Sequence, residues 1–241
     1  SICGHSHIRL FQMETNDDRA MSRYRLIDQD SVSDAVILAA GDYPTHTVPV
    51  TILRKAHYVC CCDSAVVSYV RHGNQPDAIV CDGDSLPDAL KKKFANILHT
   101  ESEQDYNDLT KATRYCLSQG YKDIFYLGAT GKREDHTLGN ISLMAWYMQN
   151  FDMHPVMITD HGYFVPARGH NFFATNKGQQ ISIFNVDCKS IHGKGLKWDT
   201  YAAEWLWQGT LNEATGNEVE LDADGSYLVY RTYEIKGASL L

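Results

Sequence analysis

A mostly parallel α/β sheet followed by a smaller antiparallel β-sandwich is the fold the sequence predicts, on three observations. Between residues 34 and 160, short wholly apolar runs alternate with stretches of helical periodicity. That is the pattern of strands buried on both faces by crossover helices. Several runs end at an Asp or a Gly, namely Asp42, Asp63, Asp82 and Gly128, so polar residues collect where parallel strands present their carboxyl ends. After about residue 160 the helical period disappears and short strand-like segments take over. The predicted organisation is an N-terminal extension (1–30), a Rossmann-like α/β domain (31–160) and a β-sandwich domain (161–241).

Taken in order, the first 30 residues are polar and lack a clean period, which reads as a tail or edge segment; His5 and His7 alternate and form a weaker candidate metal pair. Residues 35–40 (AVILAA) predict the first buried strand. A helix follows over 48–56, with Pro49 in its first turn. Residues 58–62 (YVCCC) are a second strand, and 64–72 a helix stopped by Gly73. Residues 78–81 are a third strand, after which Ser85 is placed to cap a helix begun by Pro87. A short strand over 96–99 precedes a helix over 108–119, capped by Asn107 and ended by Gly120. Residues 124–127, 136–149 and 155–159 complete the α/β part as strand, helix and strand. The β domain shows strand-like runs at 163–165, 180–186, 218–221 and 227–233, and Asp222-Ala223-Asp224-Gly225 predicts a hairpin between the last two.

Composition narrows the function classes. The 241 residues carry 30 acids against 22 bases, a net charge of −8, which argues against coating nucleic acid or an anionic membrane through bulk charge. A small anionic substrate remains allowed, because a metal ion can invert the charge of one pocket. The seven cysteines form no CxxC pair, so zinc ribbons and thioredoxin-like sites lose their signature. Cys60, Cys61 and Cys62 read as small buried strand residues, and a reducing cytoplasm is the simplest compartment. No apolar run approaches the roughly 20 residues that span a bilayer, and no signal-peptide core is visible. Tyr201, Trp205 and Trp207 interleave with acids and few bases, a poor nucleic-acid surface.

Four constellations carry chemistry. Asp82-Gly83-Asp84-Ser85 follows a buried strand; it is either a solvated Asp-Gly turn or a carboxylate pair for a hard cation, and its place at the strand edge favours the cation. Asp105 and Asp108 lie three apart at a helix start, where acids share a face but also simply favour the helix dipole; Lys111 is spaced to pair with Asp108. The stretch 128–136 (GATGKREDH) joins strand to helix with two glycines and two bases. Its backbone N–H groups, with Lys132 and Arg133, suit phosphate, although the spacing is not that of a P-loop. Gly195-Leu196-Lys197-Trp198 offers an aromatic to stack on a flat heterocycle, or a core Trp of the sandwich, and on residues alone the core reading is preferred. No GxSxG or HExxH motif occurs, and His57, His99 and His136 are assigned to structure.

Together and in this order, these segments resemble the thiamine pyrophosphokinase family over roughly 34–235. The family pattern runs Asn/Asp-Gly-Ala, Gly-Asp-x-Asp-Ser, Gln-Asp-x-Thr-Asp, Gly-Ala-x-Gly-Gly-Arg-x-Asp-His, Gly-Leu-x-Trp and Ser-Asn. This chain offers Asp63-Ser64-Ala65, Cys81 to Ser85, Gln104 to Asp108, Gly128 to His136, Gly195 to Trp198, and Leu211-Asn212. It departs at Ser64, Cys81 and Lys132, each in place of Gly, at Gly83 in place of a bulky residue, at Asn107 for Thr, Glu134 for an aromatic, and Leu211 for Ser.

The resemblance implies transfer of the pyrophosphoryl group of ATP to the thiamine hydroxyl, giving thiamine diphosphate and AMP. It implies Mg²⁺ held by Asp82, Asp84 and Asp108, with Asp105 and Asp135 orienting or deprotonating the hydroxyl or contacting thiamine. ATP would be met by Asp63, Ser64, Gln104, Lys111, Gly128, Thr130 and Gly131, its β- and γ-phosphates by Lys132 and Arg133. Trp198 would stack on thiamine, Asn212 would contact it, and a homodimer would bring the Trp to the partner's site. ATP is expected to bind poorly without the metal. The competing readings are a pyrophosphokinase acting on a pterin-type hydroxymethyl heterocycle, a DxD glycosyltransferase, and a thiamine- or nucleotide-binding module without turnover.

Overall fold

The structure is a computed structural model that describes residues 21–235 and the backbone of 11–14; His5 and His7 lie outside the described residues. Part of the N-terminal segment is an edge, as expected, and a folded one. Strands β1 (Phe11–Glu14) and β2 (Met21–Tyr24) pair antiparallel.

The α/β part alternates as the apolar runs require. It comprises β3 (Ala35–Leu38), α1 (Thr47–Lys55), β4 (Val59–Cys62), α2 (Ala65–Arg71), β5 (Ala78–Cys81), α3 (Asp88–Lys93), β6 (Leu98–Thr100), α4 (Asp108–Ser118), β7 (Asp123–Leu127), α5 (Glu134–Asn150) and β8 (His154–Ile158). Every residue of β3, β4 and β5 is buried, because alternate side chains serve opposite layers. Val36, Leu38, Cys61, Ile79, Phe125 and Leu127 face the layer that holds α1, α2 and α3. Ala35, Ile37, Cys60, Cys62, Val80 and Tyr126 face α4 and α5. Each large aliphatic side chain buried this way contributes about 1.5–3 kcal/mol. Helix starts are satisfied locally: His46 Nδ1 accepts from Val48 N–H, and Asn107 Oδ1 accepts from Thr110 N–H. One predicted cap is wrong. Ser85 makes no bond to α3, which Pro87 precedes; its hydroxyl turns instead to the carboxylates of Asp63 and Asp82.

The β part contains β9 (Gly162–Arg168), β10 (Asn171–Ala174), β11 (Gln179–Asn185), β12 (Ile191–Lys194), β13 (Asn212–Glu213), β14 (Glu218–Ala223) and β15 (Ser226–Ile235). One sheet runs β13-β11-β15-β9-β8-β7-β3-β4-β5-β6, parallel from β8 to β6 and antiparallel from β8 to β13. The second sheet, β1-β2-β10-β14-β12, packs on its antiparallel end to form the sandwich, with Val165, Phe173, Ile183, Val219, Tyr227 and Val229 inside. The predicted hairpin at 222–225 does not form. β14 pairs with β10 and β12, while β15 pairs with β9 and β11, so these residues carry the chain from one sheet to the other. Asp224 accepts from the N–H groups of Lys189 and Ser190, holding that crossing in place.

A buried cation ties the sandwich. Arg231 is fully buried, donates to Ala174 O at 2.7 Å, and lies over the rings of Tyr163 and Phe173. Burial lowers its pKa from the ordinary arginine value; the aromatic faces supply attraction that no carboxylate among the described residues supplies.

Candidate active site

The order of the parallel strands fixes where a ligand can sit. From β3, the chain lays β4, β5 and β6 to one side and β7 and β8 to the other. The crevice at the carboxyl ends of β3 and β7 is therefore the topological switch point. Two loops meet there. Gly41 N–H donates to Gly128 O at 2.7 Å and Asp42 N–H to Thr130 O at 2.8 Å. A Cβ on Gly41 would overlap Thr130 O, and one on Gly131 would overlap the Asp42 carboxylate at a φ of +83°, so both positions need glycine. Beside these loops a cleft of about 540 Å³ is lined by Ala39, Gly41, Tyr43, Ser64, Ser68 and Lys132, among others. A second recess of about 390 Å³ is lined by Asp42, Gly128, Thr130, Asp160 and His161. Asp160 accepts from Thr45 and His46 N–H at 2.9 Å each, pinning the first loop to the domain junction. The roles of Tyr43, Ser68 and Asp160 were not read from the sequence; the only signal was the Gly41-Asp42 strand end.

Lys132 bridges the two loops, its Nζ donating to Ala40 O at 2.9 Å. Its φ is +61°, a left-handed conformation that costs a non-glycine residue about 1 kcal/mol. Lys132→Gly is therefore expected to stabilise the chain by about 0.5–1 kcal/mol, read as a rise in melting temperature, while weakening binding of a nucleoside triphosphate measured by titration. Equal affinity in the variant would remove Lys132 from the phosphate site.

Arg133 stands beside Asp135 at the start of α5. Its guanidinium forks onto the Asp135 carboxylate, with Nε–Oδ1 at 3.1 Å and Nη2–Oδ2 at 2.6 Å, and it does not line the cleft. Arg133 and the backbone N–H of His136 hold the Asp135 carboxyl below its usual range.

The acids gather next to this cleft. Asp63 follows β4 and Asp82 follows β5, joined through the Ser85 hydroxyl. The backbone N–H of Asp84 and the Ser85 hydroxyl hold Asp82 below the usual carboxylate range, with the Lys111 charge adding to this. Burial lifts Asp63 above that range, and the nearby charges of Asp108 and Asp82 act in the same sense against a Ser64 N–H bond. Asp108 opens α4, and Lys111, three residues on, sits 3.9 Å from it with its side chain 4% exposed. Asp84 is exposed. Gln104 and Asp105 lie on the exposed segment after β6, where Gln104 donates to Ser102 O and Asp105 N–H to Glu103. Among the described residues no hydrogen bond or ion pair joins Asp105 or Asp135 to Asp82, Asp84 or Asp108. Nor does any set of three acids, histidines or cysteines there form a ready-made metal cage. The donor chemistry nevertheless fits Mg²⁺, which takes one or two carboxylates and completes its shell with water and phosphate oxygens.

Trp198 is not a core residue, contrary to the reading preferred from the residues alone: it is 50% exposed. Asn212 clamps its backbone, accepting from Trp198 N–H at 3.2 Å and donating to Trp198 O at 3.0 Å, so Asn212 positions the indole. The Lys197 ammonium lies 4.8 Å from the ring centre. Between β13, which carries Asn212, and β5, whose end leads into Asp82, the sheet order leaves eight inter-strand steps. At about 4.8 Å each, that is on the order of 35–40 Å along the sheet.

Comparison with known proteins matches both parts. Residues 50–157 match the sequence model described as "Thiamin pyrophosphokinase, catalytic domain", and residues 162–230 that described as "Thiamin pyrophosphokinase, substrate-binding domain". The chain belongs to the thiamin pyrophosphokinase family. Thiamin pyrophosphokinase 1 of Caenorhabditis elegans is 30% identical over 116 residues, 44% of this chain and 46% of that protein. Thiamine pyrophosphokinase 3 of Oryza sativa subsp. japonica is 32% identical over 91 residues, 34% of each; the matches thus span less than half of either relative. Among solved structures, yeast thiamin pyrophosphokinase superposes with a TM-score of 0.69 at 14% identity, covering 87% of this chain and 90% of that one. The Bacillus subtilis thiamine pyrophosphokinase gives 0.67 at 18%, covering 83% and 99%. These structural likenesses establish the shared fold. Two departures from the thiamin pyrophosphokinase pattern gain a physical meaning here. Lys132 occupies a left-handed position that glycine fills without strain, and Gly83, with φ +94°, occupies one that a bulky residue would strain.

Proposed function

We propose that this chain transfers the pyrophosphoryl group of ATP to the hydroxyl of thiamine, releasing AMP and thiamine diphosphate. The observation that carries the reading is the corner of Asp63, Asp82 and Asp108 beside a glycine-hinged cleft at the switch point. The triphosphate seat would be the 128–132 loop, whose N–H groups and Lys132 suit anionic oxygens. Asp82 and Asp108, with Asp84 nearby, would hold Mg²⁺. When bound, that ion would offset phosphate charge and favour departure of the AMP oxygen. Asp135 is kept ionised by Arg133, which makes it a weak base but a firm hydrogen-bond acceptor; its role is to orient the thiamine hydroxyl. Asp105, exposed on its loop, is the second candidate for that task.

Trp198 would stack on the cationic ring of thiamine. Its distance from the acids along the sheet supports a homodimer in which each Trp198 serves the partner's acids. Placement in a reducing cytoplasm is supported by six free, buried cysteines among the described residues. No helix among those residues is long and apolar enough to cross a membrane.

The direct test is AMP formation from ATP. AMP should appear only when thiamine and Mg²⁺ are both present, and a pterin alcohol should neither replace thiamine nor compete with it. AMP formation independent of thiamine would overturn the assignment.

A further inference from the structure

Lys111 is the one lysine among the buried polar residues of the described part of the chain, 3% exposed. It stands three residues after Asp108 on α4, on the same helix face. Side chains lean toward the start of a helix, which carries its ammonium back toward the acids. Nζ lies 3.3 Å from Glu101 O and 3.9 Å from Asp108 Oδ1. Glu101 in turn donates its N–H to Cys81 O, so the ammonium stands behind the end of β5, where Asp82 begins. Little of the side chain is open to solvent.

We infer that Lys111 is a resident counter-cation, a positioning residue that lets Asp63, Asp82 and Asp108 share one corner before a divalent ion arrives. The inference rests on the reading above only in taking these acids as the cation-binding ones. Carboxylates brought together repel unless a positive charge offsets them, and a buried ammonium requires anions in return. Three carboxylates, one ammonium and one divalent ion balance to zero. Lys111 therefore keeps the empty corner folded while leaving a net negative charge that draws the metal.

The test uses the full chain with Mg²⁺ alone, without nucleotide or thiamine, and reads thermal melting. Lys111→Met keeps the stem and removes the charge. In chelator it should melt about 5–15 °C below the wild type, and about 10 mM MgCl₂ should restore at least half of that loss. The wild type should move by less than about 2 °C. The double variant Lys111→Met with Asp108→Asn removes one charge of each sign. It should melt near the wild type in chelator and respond little to Mg²⁺. If Lys111→Met does not fold without metal, recovery in the double variant carries the inference. A single variant displaced equally with and without Mg²⁺ would overturn it, as would a double variant no more stable than the single one. Because no AMP is measured, failure of the reaction proposed above would leave this outcome unaffected.

Discussion

Asp82→Ala and Asp108→Ala should each lower thiamine-dependent AMP formation by about 100- to 1,000-fold or more, the scale seen when a group that stabilises transition-state charge is removed. The two acids come from different elements, the turn after β5 and the first residue of α4, yet both sit at the edge of the sheet beside the same cleft. Neither loss should unfold the chain. Asp82 gives up bonds from Asp84 N–H and Ser85 Oγ, both exposed to solvent that can replace them. Asp108 gives up a favourable helix-dipole contact of about 0.3–1 kcal/mol and a partner of Lys111. Circular dichroism should therefore show an intact fold with a melting temperature lowered by several degrees. Asp108→Asn should be as inactive as Asp108→Ala while keeping the helix start. Near-normal turnover in any of these variants would take that acid out of the metal site. Asp84→Ala is the informative comparison, because that carboxylate is exposed, and a smaller loss there would rank the two aspartates of the turn.

How far these residues could be read from the chain depended on whether local pattern decides their placement. The apolar runs of β3, β4, β5 and β7 were legible because a strand covered on both faces admits almost nothing else. The acids at their ends were legible for the same reason, since a polar residue directly after a buried strand has only the carboxyl edge to occupy. The turn at 222–225 was misread because Asp-Ala-Asp-Gly announces a reversal without saying which sheet each arm will join. The parallel pairing of β2 with β10 links segments about 150 residues apart, a choice set by the whole sandwich. Two contacts at the site were not legible in the same way: the pairing of Arg133 with Asp135 and the outward face of Trp198. Trp198 seemed a core residue by its chemistry, and only the left-handed turn at Gly195, where a Cβ would overlap Glu218 O, and the clamp from Asn212 show it presented outward.

That outward Trp198 leads to the second large effect, which is complementation between an impaired chain and an inactive one. Trp198→Ala should reduce turnover at low thiamine by about 10- to 100-fold, the loss of a stacking partner for a cationic ring worth about 1.5–3 kcal/mol. Asp108→Asn should be essentially inactive. If both groups served one site within one chain, an equal mixture of the two variants would show only the mean of the parents. The sheet sets β13, whose Asn212 clamps Trp198, eight strand steps from β5, which leads into Asp82; on the homodimer reading proposed above, the shared site is completed by the second chain. A few residues further along the chain, Trp205, Leu206 and Trp207 are 67%, 62% and 72% exposed, large apolar side chains of the kind that mark a protein contact. In a two-fold dimer each interface residue meets its counterpart's neighbours twice. Half of the re-associated dimers are mixed, and each mixed dimer has one site with both Asp108 and Trp198 intact. The mixture should then recover about a quarter of wild-type activity. Recovery should require subunit exchange, so chains mixed immediately before assay should start near the parental mean and rise as light scattering reports exchange. A mixture that stays at the mean after full exchange, or a wild-type chain that scatters as a monomer under assay conditions, would place Trp198 outside the catalytic site.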